Sequence, residues 1–202
     1  MSDDLKLVEQ FQKETGIKLK RVPLDDIERG VTGFAADDNG RVRGLAIWYK
    51  RLRRLPTQLS KFQRLEKLVL VDTKISDISS LKELKGLTDL NLLENQISDI
   101  SSLKELKGLT DLNLMYNKIS DISSLKELKN LKILDLRLNK ITHMPAEFLD
   151  LGLAIKLVWG GGEGIILGNN PLESPPTEII GQGNDAIRQY FKSLSGEKQA
   201  LK

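Results

Sequence analysis

The sequence predicts an α/β solenoid, a horseshoe arc with short parallel strands on its concave face, return turns on its convex face and a separate cap at each end. Three observations carry this. The first is a period of 22: residues 81–102, LKELKGLTDLNLLENQISDISS, and 103–124, LKELKGLTDLNLMYNKISDISS, differ at three positions, and the frame runs back to 59–80 and forward to 125–146. The second is the spacing inside each unit, LxxLxLxxNxI, as in Leu87, Leu90, Leu92, Asn95 and Ile97. The third is unit size, because a segment this short cannot bury its own apolar face and must stack on its neighbours. A chain of 202 residues, 40% hydrophobic and 29% charged, suits one such domain or at most two small ones.

Residues 1–41 read as an amino-terminal cap. Leu5, Val8 and Phe11 share one side of a helix over 3–14, ended by Gly16. GFAADDNGRVRGLAIW then reads as a hairpin turning at Asn39 and Gly40 and feeding the first repeat strand. Residues 42–172 hold about six units, from VRGLAIWYKRLRRLP to an irregular last one in which Ile165, Leu167, Asn170 and Leu172 keep the frame. A tri-glycine loop separates that unit from the apolar run Leu153 to Trp159. Leu90 and Leu92 alternate with Asp89 and Asn91, which marks a strand with one buried face.

Asn95, Asn117, Asn139 and Asn170 recur after the strand. A buried amide must satisfy its donors and its acceptor, and stacked turns offer backbone partners, so these four are expected to form a structural ladder. Thr73 and Lys50 hold that position in the first two units, so the ladder starts late. Ser80, Ser102 and Ser124 stand three residues before Glu83, Glu105 and Glu127, a capping-box spacing that predicts a short helix or 3₁₀ turn whose leucines face the strands. Residues 173–202 form the carboxy-terminal cap and linker. GNDAIRQYFKSL sets Ala186, Ile187, Tyr190, Phe191 and Leu194 on one helical face behind an Asn184 or Asp185 cap, and the tail from Ser195 is expected to fray.

The LxxLxLxxNxI units resemble leucine-rich repeats, a likeness that implies fold and says little about chemistry. The flanks are more specific. NNPLESPPTEIIGQGNDAIRQYFKSL, residues 169–194, resembles the segment that in bacterial Roco proteins joins such repeats to a Ras-like GTPase domain and its dimerising partner, and LKLVEQFQKETGIKLKRV resembles the start of such proteins. The resemblance implies a whole protein that binds and hydrolyses GTP and cycles between monomer and dimer, with those activities beyond Lys202. The chain would then be its amino-terminal module, or a natural short relative without the GTPase.

Few chemistries fit the residues present. Without cysteine, disulfides, thiolate metal sites and cysteine nucleophiles are excluded, and His143 alone provides neither a histidine metal cluster nor a serine-histidine triad; it reads as a solvated side chain. No GxxxxGK[ST] string exists, and Gly160, Gly161, Gly162, Gly164 and Gly168 fail the GxGxxG spacing, so they read as a loop. Asp77, Asp99 and Asp121 recur as a column that either collects a cation or bonds local amides, the second being the expectation. From Arg41 to Lys67 nine basic residues meet only Glu66, a net +8 within a chain of net +3. That stripe suits a solvated edge or an acidic protein partner, less well nucleic acid or an anionic membrane. No apolar run is long enough to span a bilayer, and the start lacks the order of a signal peptide, so a cytoplasmic, non-enzymatic protein without cofactors or a small-molecule substrate is expected.

The strand period of two aims alternate residues onto the concave surface. The frame predicts a column of Trp48, Val71, Leu93, Met115 and Arg137, with Val69 beside it and Tyr49, Glu94 and Tyr116 at strand exits. Contiguous apolar residues on a solvated face often mark a binding site. The near-identical units differ only at Leu93/Met115, Glu94/Tyr116 and Gln96/Lys118, at or just past the strand. The expected partner is a protein, another copy, or the GTPase and dimerisation domains of the same polypeptide. A free-standing adaptor is the second reading and a nucleic-acid-binding module the third. The alternative for Trp48 is that it merely covers the cap.

Overall fold

The computed structural model describes residues 3–52 and 54–200, with side chains described to residue 196. Helix α1 (Asp3–Thr15) buries Val8 and Phe11 and stops at Gly16, whose φ of +70° and amide bond to the Gln12 carbonyl close the last turn. It is fastened at both ends: Asp4 Oδ2 accepts from the Val42 amide at 2.8 Å and Gln12 Oε1 from the Leu19 amide at 2.8 Å. Strand β1 (Lys20–Arg21) lies parallel to β2 (Gly33–Ala36), which forms a hairpin with β3 (Val42–Trp48). The hairpin turn is wider than Asn39 and Gly40 alone. Asp37 Oδ1 accepts from the amides of Asn39 and Arg41, and the register shifts between Ala35 and Ala36 to accommodate the extra residue.

The repeat strands follow in parallel register: β4 (Lys67–Val71), β5 (Asp89–Asn91), β6 (Asp111–Asn113), β7 (Ile133–Asp135). The sheet then departs from chain order, because β9 (Gly164–Ile166) pairs with β7 and the earlier β8 (Ile155–Lys156) lies outside it as the edge. The last unit therefore keeps its predicted frame, while most of the apolar run 153–159 is loop, with only two residues in strand. One core runs the length of the arc, built from Leu68, Leu90, Leu112, Leu134 and Ile165 under the strands and Leu81, Leu103, Leu125 and Phe148 on the convex side. Full burial of each such side chain stabilises by about 1.5–3 kcal/mol.

Convex returns are 3₁₀ turns at Ser79–Glu83, Ser101–Glu105 and Ser123–Glu127, and the predicted capping boxes do not form. Each turn starts two residues earlier than that motif requires, so Ser80, Ser102 and Ser124 lie inside it. The aspartates serve instead: Asp77, Asp99 and Asp121 each accept, at 2.8 Å, the amide of the serine two residues on. Bonds from that serine's backbone and hydroxyl hold all three carboxyls below their ordinary pKa, against a smaller upward push from burial. The displaced serines tie units together, Ser102 Oγ donating to the Ile78 carbonyl and Ser124 Oγ to that of Ile100, both at 3.3 Å. Glu105 and Glu127 pair with Lys85 and Lys107 of the preceding unit.

The asparagine ladder forms as expected. In Asn117, Nδ2 donates to the carbonyls of Leu92 at 2.9 Å and Leu114 at 3.1 Å, while Oδ1 accepts from the Ile97 amide at 3.1 Å. Asn95, Asn139 and Asn170 repeat the pattern. Buried Thr73 opens the ladder by giving its hydroxyl to Asn95 Oδ1 at 2.9 Å. The end is closed by α2 (Thr177–Ile180) and α3 (Asn184–Ala200), which bury Ile180 and Ile187. The helix continues through the segment expected to fray, as far as Ala200; residues 201–202 lie outside the described residues. Asn184 works on the sheet edge, its Oδ1 accepting from the Ile155 amide at 2.9 Å and its Nδ2 donating to the Leu153 carbonyl at 2.8 Å. Its side-chain amide thereby replaces the missing neighbour of β8.

Candidate functional site

Register places three columns on the concave face. The first reads Gly44, Lys67, Asp89, Asp111, Ile133 and Gly164, and the second Ala46, Val69, Asn91, Asn113, Asp135 and Ile166. The third is Trp48, Val71, Leu93, Met115 and Arg137.

The amino-terminal third of this face is covered, which corrects two expected contact residues. Val69 is 2% exposed and Val71 1% exposed, packed with Ile27, Ala35 and Ala46 in a second small core. The chain between β1 and β2 crosses the strands here, with Leu24 and Val22 against the same cluster. Gly44 makes room for the crossing: a Cβ there would lie 2.7 Å from Leu24 Cδ1 and 2.8 Å from Ile27 Cγ1. Trp48 packs partly against this cluster, and its amide bonds Thr32 Oγ1 at 3.0 Å. It thus helps close the cap as well as bordering the open surface.

Beyond that cover the face is open. Leu93 is half-buried against the edge of that same cluster, Met115 is half-buried beyond it, and Arg137 is held on Asp135, its Nε donating to Oδ1 at 2.9 Å and Nη2 to Oδ2 at 2.6 Å. Asn91, Asn113 and Asp135 accept the amides of Leu93, Met115 and Arg137 respectively, which fixes the third column locally. At each strand exit the backbone enters the left-handed region: Tyr49, Asp72, Glu94, Tyr116, Leu138 and Asn169 have φ from +49° to +59°. At each of these exits from Tyr49 to Leu138 the amide bonds the carbonyl of the next unit's third-column residue, and from Glu94 on the ladder adds to this. The turn directs the Leu93 carbonyl to both Asn95 Nδ2 and the Asp72 amide, and each later unit repeats this. A side chain on such a residue swings clear of its neighbours, leaving Tyr49 67% and Tyr116 55% exposed.

Sequence reasoning missed one surface residue. Trp159, 45% exposed, projects from the loop 157–163 and lines the same concave groove as Ile133 and Arg137. The nearby glycines suggested a loop, but an aromatic ending an apolar run reads as core until β8 is seen to stop at Lys156. Gly168 permits this loop, since a Cβ there would fall 1.9 Å from the Leu157 carbonyl oxygen. His143 is exposed, as expected, with Nδ1 2.9 Å from Thr142 Oγ1. The basic stripe disperses: Arg43 pairs with Glu66 and Asp37, Lys67 with Glu28 and Asp89, and Arg54 approaches Glu14, while Arg53 lies outside the described residues. Among the described residues, no helix is long and apolar enough to cross a membrane.

A family model described as leucine-rich repeats (2 copies) matches residues 63–105. A search of curated proteins finds no match. Among solved structures, the chain is similar to an internalin from Listeria monocytogenes, with 25% identity over 69% of this chain and a TM-score of 0.56; it spans 40% of that protein's length. It is also similar to the leucine-rich-repeat ectodomain of the receptor kinase SOBIR1 from Arabidopsis thaliana, with 21% identity, a TM-score of 0.63 and coverage of 87% of this chain and 97% of that one. A plant ice-binding protein shares 22% identity at a TM-score of 0.62, over 84% of this chain and 56% of its own. Such different names on one architecture mean that the likeness carries the arc and no particular partner. Repeats matched over residues 63–105, parallel register and a continuous asparagine ladder together give this chain the leucine-rich-repeat fold.

Proposed function

We propose that the chain is a non-catalytic protein-recognition module whose partner seats on the open part of the concave face. The contact residues are Leu93, Met115 and Arg137, with Trp48 at the border and Tyr49, Glu94 and Tyr116 at the strand exits. The observation that carries this reading is the pair of near-identical units. Their differences fall at Leu93/Met115, Glu94/Tyr116 and Gln96/Lys118, while every ladder, core and convex position is unchanged. Exposed Tyr116 and half-buried Met115 have the composition of an interface anchor.

The finer reading is that this module serves a Roco-type GTPase in the cytoplasm, contacting the GTPase and dimerisation domains of the same or a neighbouring polypeptide. It rests on the resemblance of residues 169–194. The isolated chain should then show no heat of GTP binding by calorimetry, since it has no P-loop; micromolar affinity for GTP would overturn its assignment as the non-catalytic part.

Photocrosslinking tests the surface. Benzoylphenylalanine placed at Tyr116 should yield a discrete adduct in native cells, and the same group at convex Lys104 should not. A captured polypeptide with a GxxxxGK[ST] sequence supports the Roco reading. Adducts from position 104 alone would move the interface to the convex side.

A further inference from the structure

The open face contains a groove of about 320 Å³, bounded at one end by Glu28 of the crossing segment and at the other by Ile133 and Trp159. Its floor is polar. Asp89 and Asp111 lie in register on adjacent strands, each with one oxygen taken by the preceding threonine hydroxyl, at 2.5 and 2.7 Å. Asp89 shares Lys67 with Glu28, whereas Asp111 makes no ion pair among the described residues. Arg137 is consumed by Asp135. The carboxylates of Glu28, Asp89, Asp111 and Asp135 thus meet only Lys67 and Arg137, which leaves the groove negative although the chain as a whole is positive. Beside the carboxylates, the Nδ2 groups of Asn91 and Asn113 have no protein partner among the described residues, since those side chains bond locally through Oδ1.

An occupant that covers this floor must desolvate Asp111. With a neutral or acidic occupant the covered carboxylate stays unpaired, which opposes binding, whereas a basic side chain removes that penalty. From β4 to β7 is about 14 Å at ~4.8 Å per strand, the reach of four or five extended residues at ~3.3 Å each. We propose that the groove takes an extended segment of a partner protein bearing lysine or arginine. Its basic side chain lies over Asp111 and Asp89, its backbone carbonyls accept from Asn91 and Asn113, and an apolar side chain packs against Ile133 and Trp159. This rests on the recognition reading above and adds the chemistry of the partner.

The test is selection of phage-displayed random linear peptides, about nine residues long, on the immobilised chain, with the Met115→Arg variant as counter-target. The expected consensus combines lysine or arginine with an apolar residue. A synthetic consensus peptide should bind about tenfold more weakly to Asp111→Asn and about fivefold more weakly to Trp159→Ala, and binding should fall with added salt, while both variants keep the parent melting temperature. An acidic or uncharged consensus, or full affinity for Asp111→Asn, overturns the chemistry proposed here; if such peptides still lose binding to Met115→Arg, the concave-face reading survives. A selection that yields no peptide, or only peptides indifferent to Met115→Arg, overturns both.

Discussion

At the ladder position a primary amide supplies two donors and an acceptor, the set that stacked strand exits leave open. Asn117 bonds two carbonyls and one amide from a site 8% exposed. Asn117→Ala strands those groups in the interior and should lower unfolding free energy by about 2–4 kcal/mol, read by urea titration; a loss under about 0.5 kcal/mol would mean that water replaces the amide. This role was legible because one residue type recurs at a fixed offset from a strand. The serines show the opposite case. The SxxE spacing of Ser102 and Glu105 matched a capping box, but the competing acceptor, Asp99, sits two residues before Ser101 and takes its amide. The choice depends on where the turn begins, which periodicity locates only within a residue or two.

The three turn aspartates make a pH prediction. A carboxyl whose folded pKa is depressed contributes fully above its unfolded value, about 3.9, and loses the contribution as pH falls through the folded value. The triple variant Asp77→Asn, Asp99→Asn, Asp121→Asn keeps each acceptor oxygen without titrating. Its melting temperature should therefore fall less between about pH 5 and pH 2 than that of the parent. Parallel curves for the two proteins would show that these bonds do not couple to stability.

At the scale of elements, every repeat strand was legible from the two-residue alternation, and both terminal helices from their apolar faces. The crossing segment over Val69 and Val71 was not, because Val22, Leu24 and Ile27 lie in a polar stretch too short to show a period. Only Gly44, a residue without side chain on the concave column, hinted at a close approach. As a result Val69 and Val71 belong to the cap, and Trp48→Ala should cost stability, unlike a change at a freely exposed contact residue. The far edge makes the complementary case. Asn184 completes β8, and α3 packs on α2 and on the 3₁₀ turn Ala146–Leu151 with Ile187 buried. Removing residues 184–202 exposes both an apolar end and an open strand edge, and should produce aggregation by light scattering or a melting temperature lower by at least about 5 °C. A truncated chain as monomeric and stable as the parent would show that α3 is dispensable as a cap.

Over the whole molecule, the same stacking that creates the core lays out the recognition surface, since each unit contributes one residue to each concave column. The arc therefore reads as a rigid frame with variable positions at its strand exits, closed at one end by the crossing segment and at the other by the Trp159 loop. Charge divides along these lines, with carboxylates on the groove floor and the basic run scattered among ion pairs and edges. The central claim, that the open concave face and not the frame binds the partner, is tested most directly by measuring affinity and melting temperature together. For the polypeptide captured at position 116, Met115→Arg and Tyr116→Ala should each weaken binding by about 1–3 kcal/mol and shift the melting temperature by no more than about 2 °C, while convex Lys104→Glu changes neither. Full affinity in both concave variants, or loss of affinity only where stability is also lost, would contradict the account.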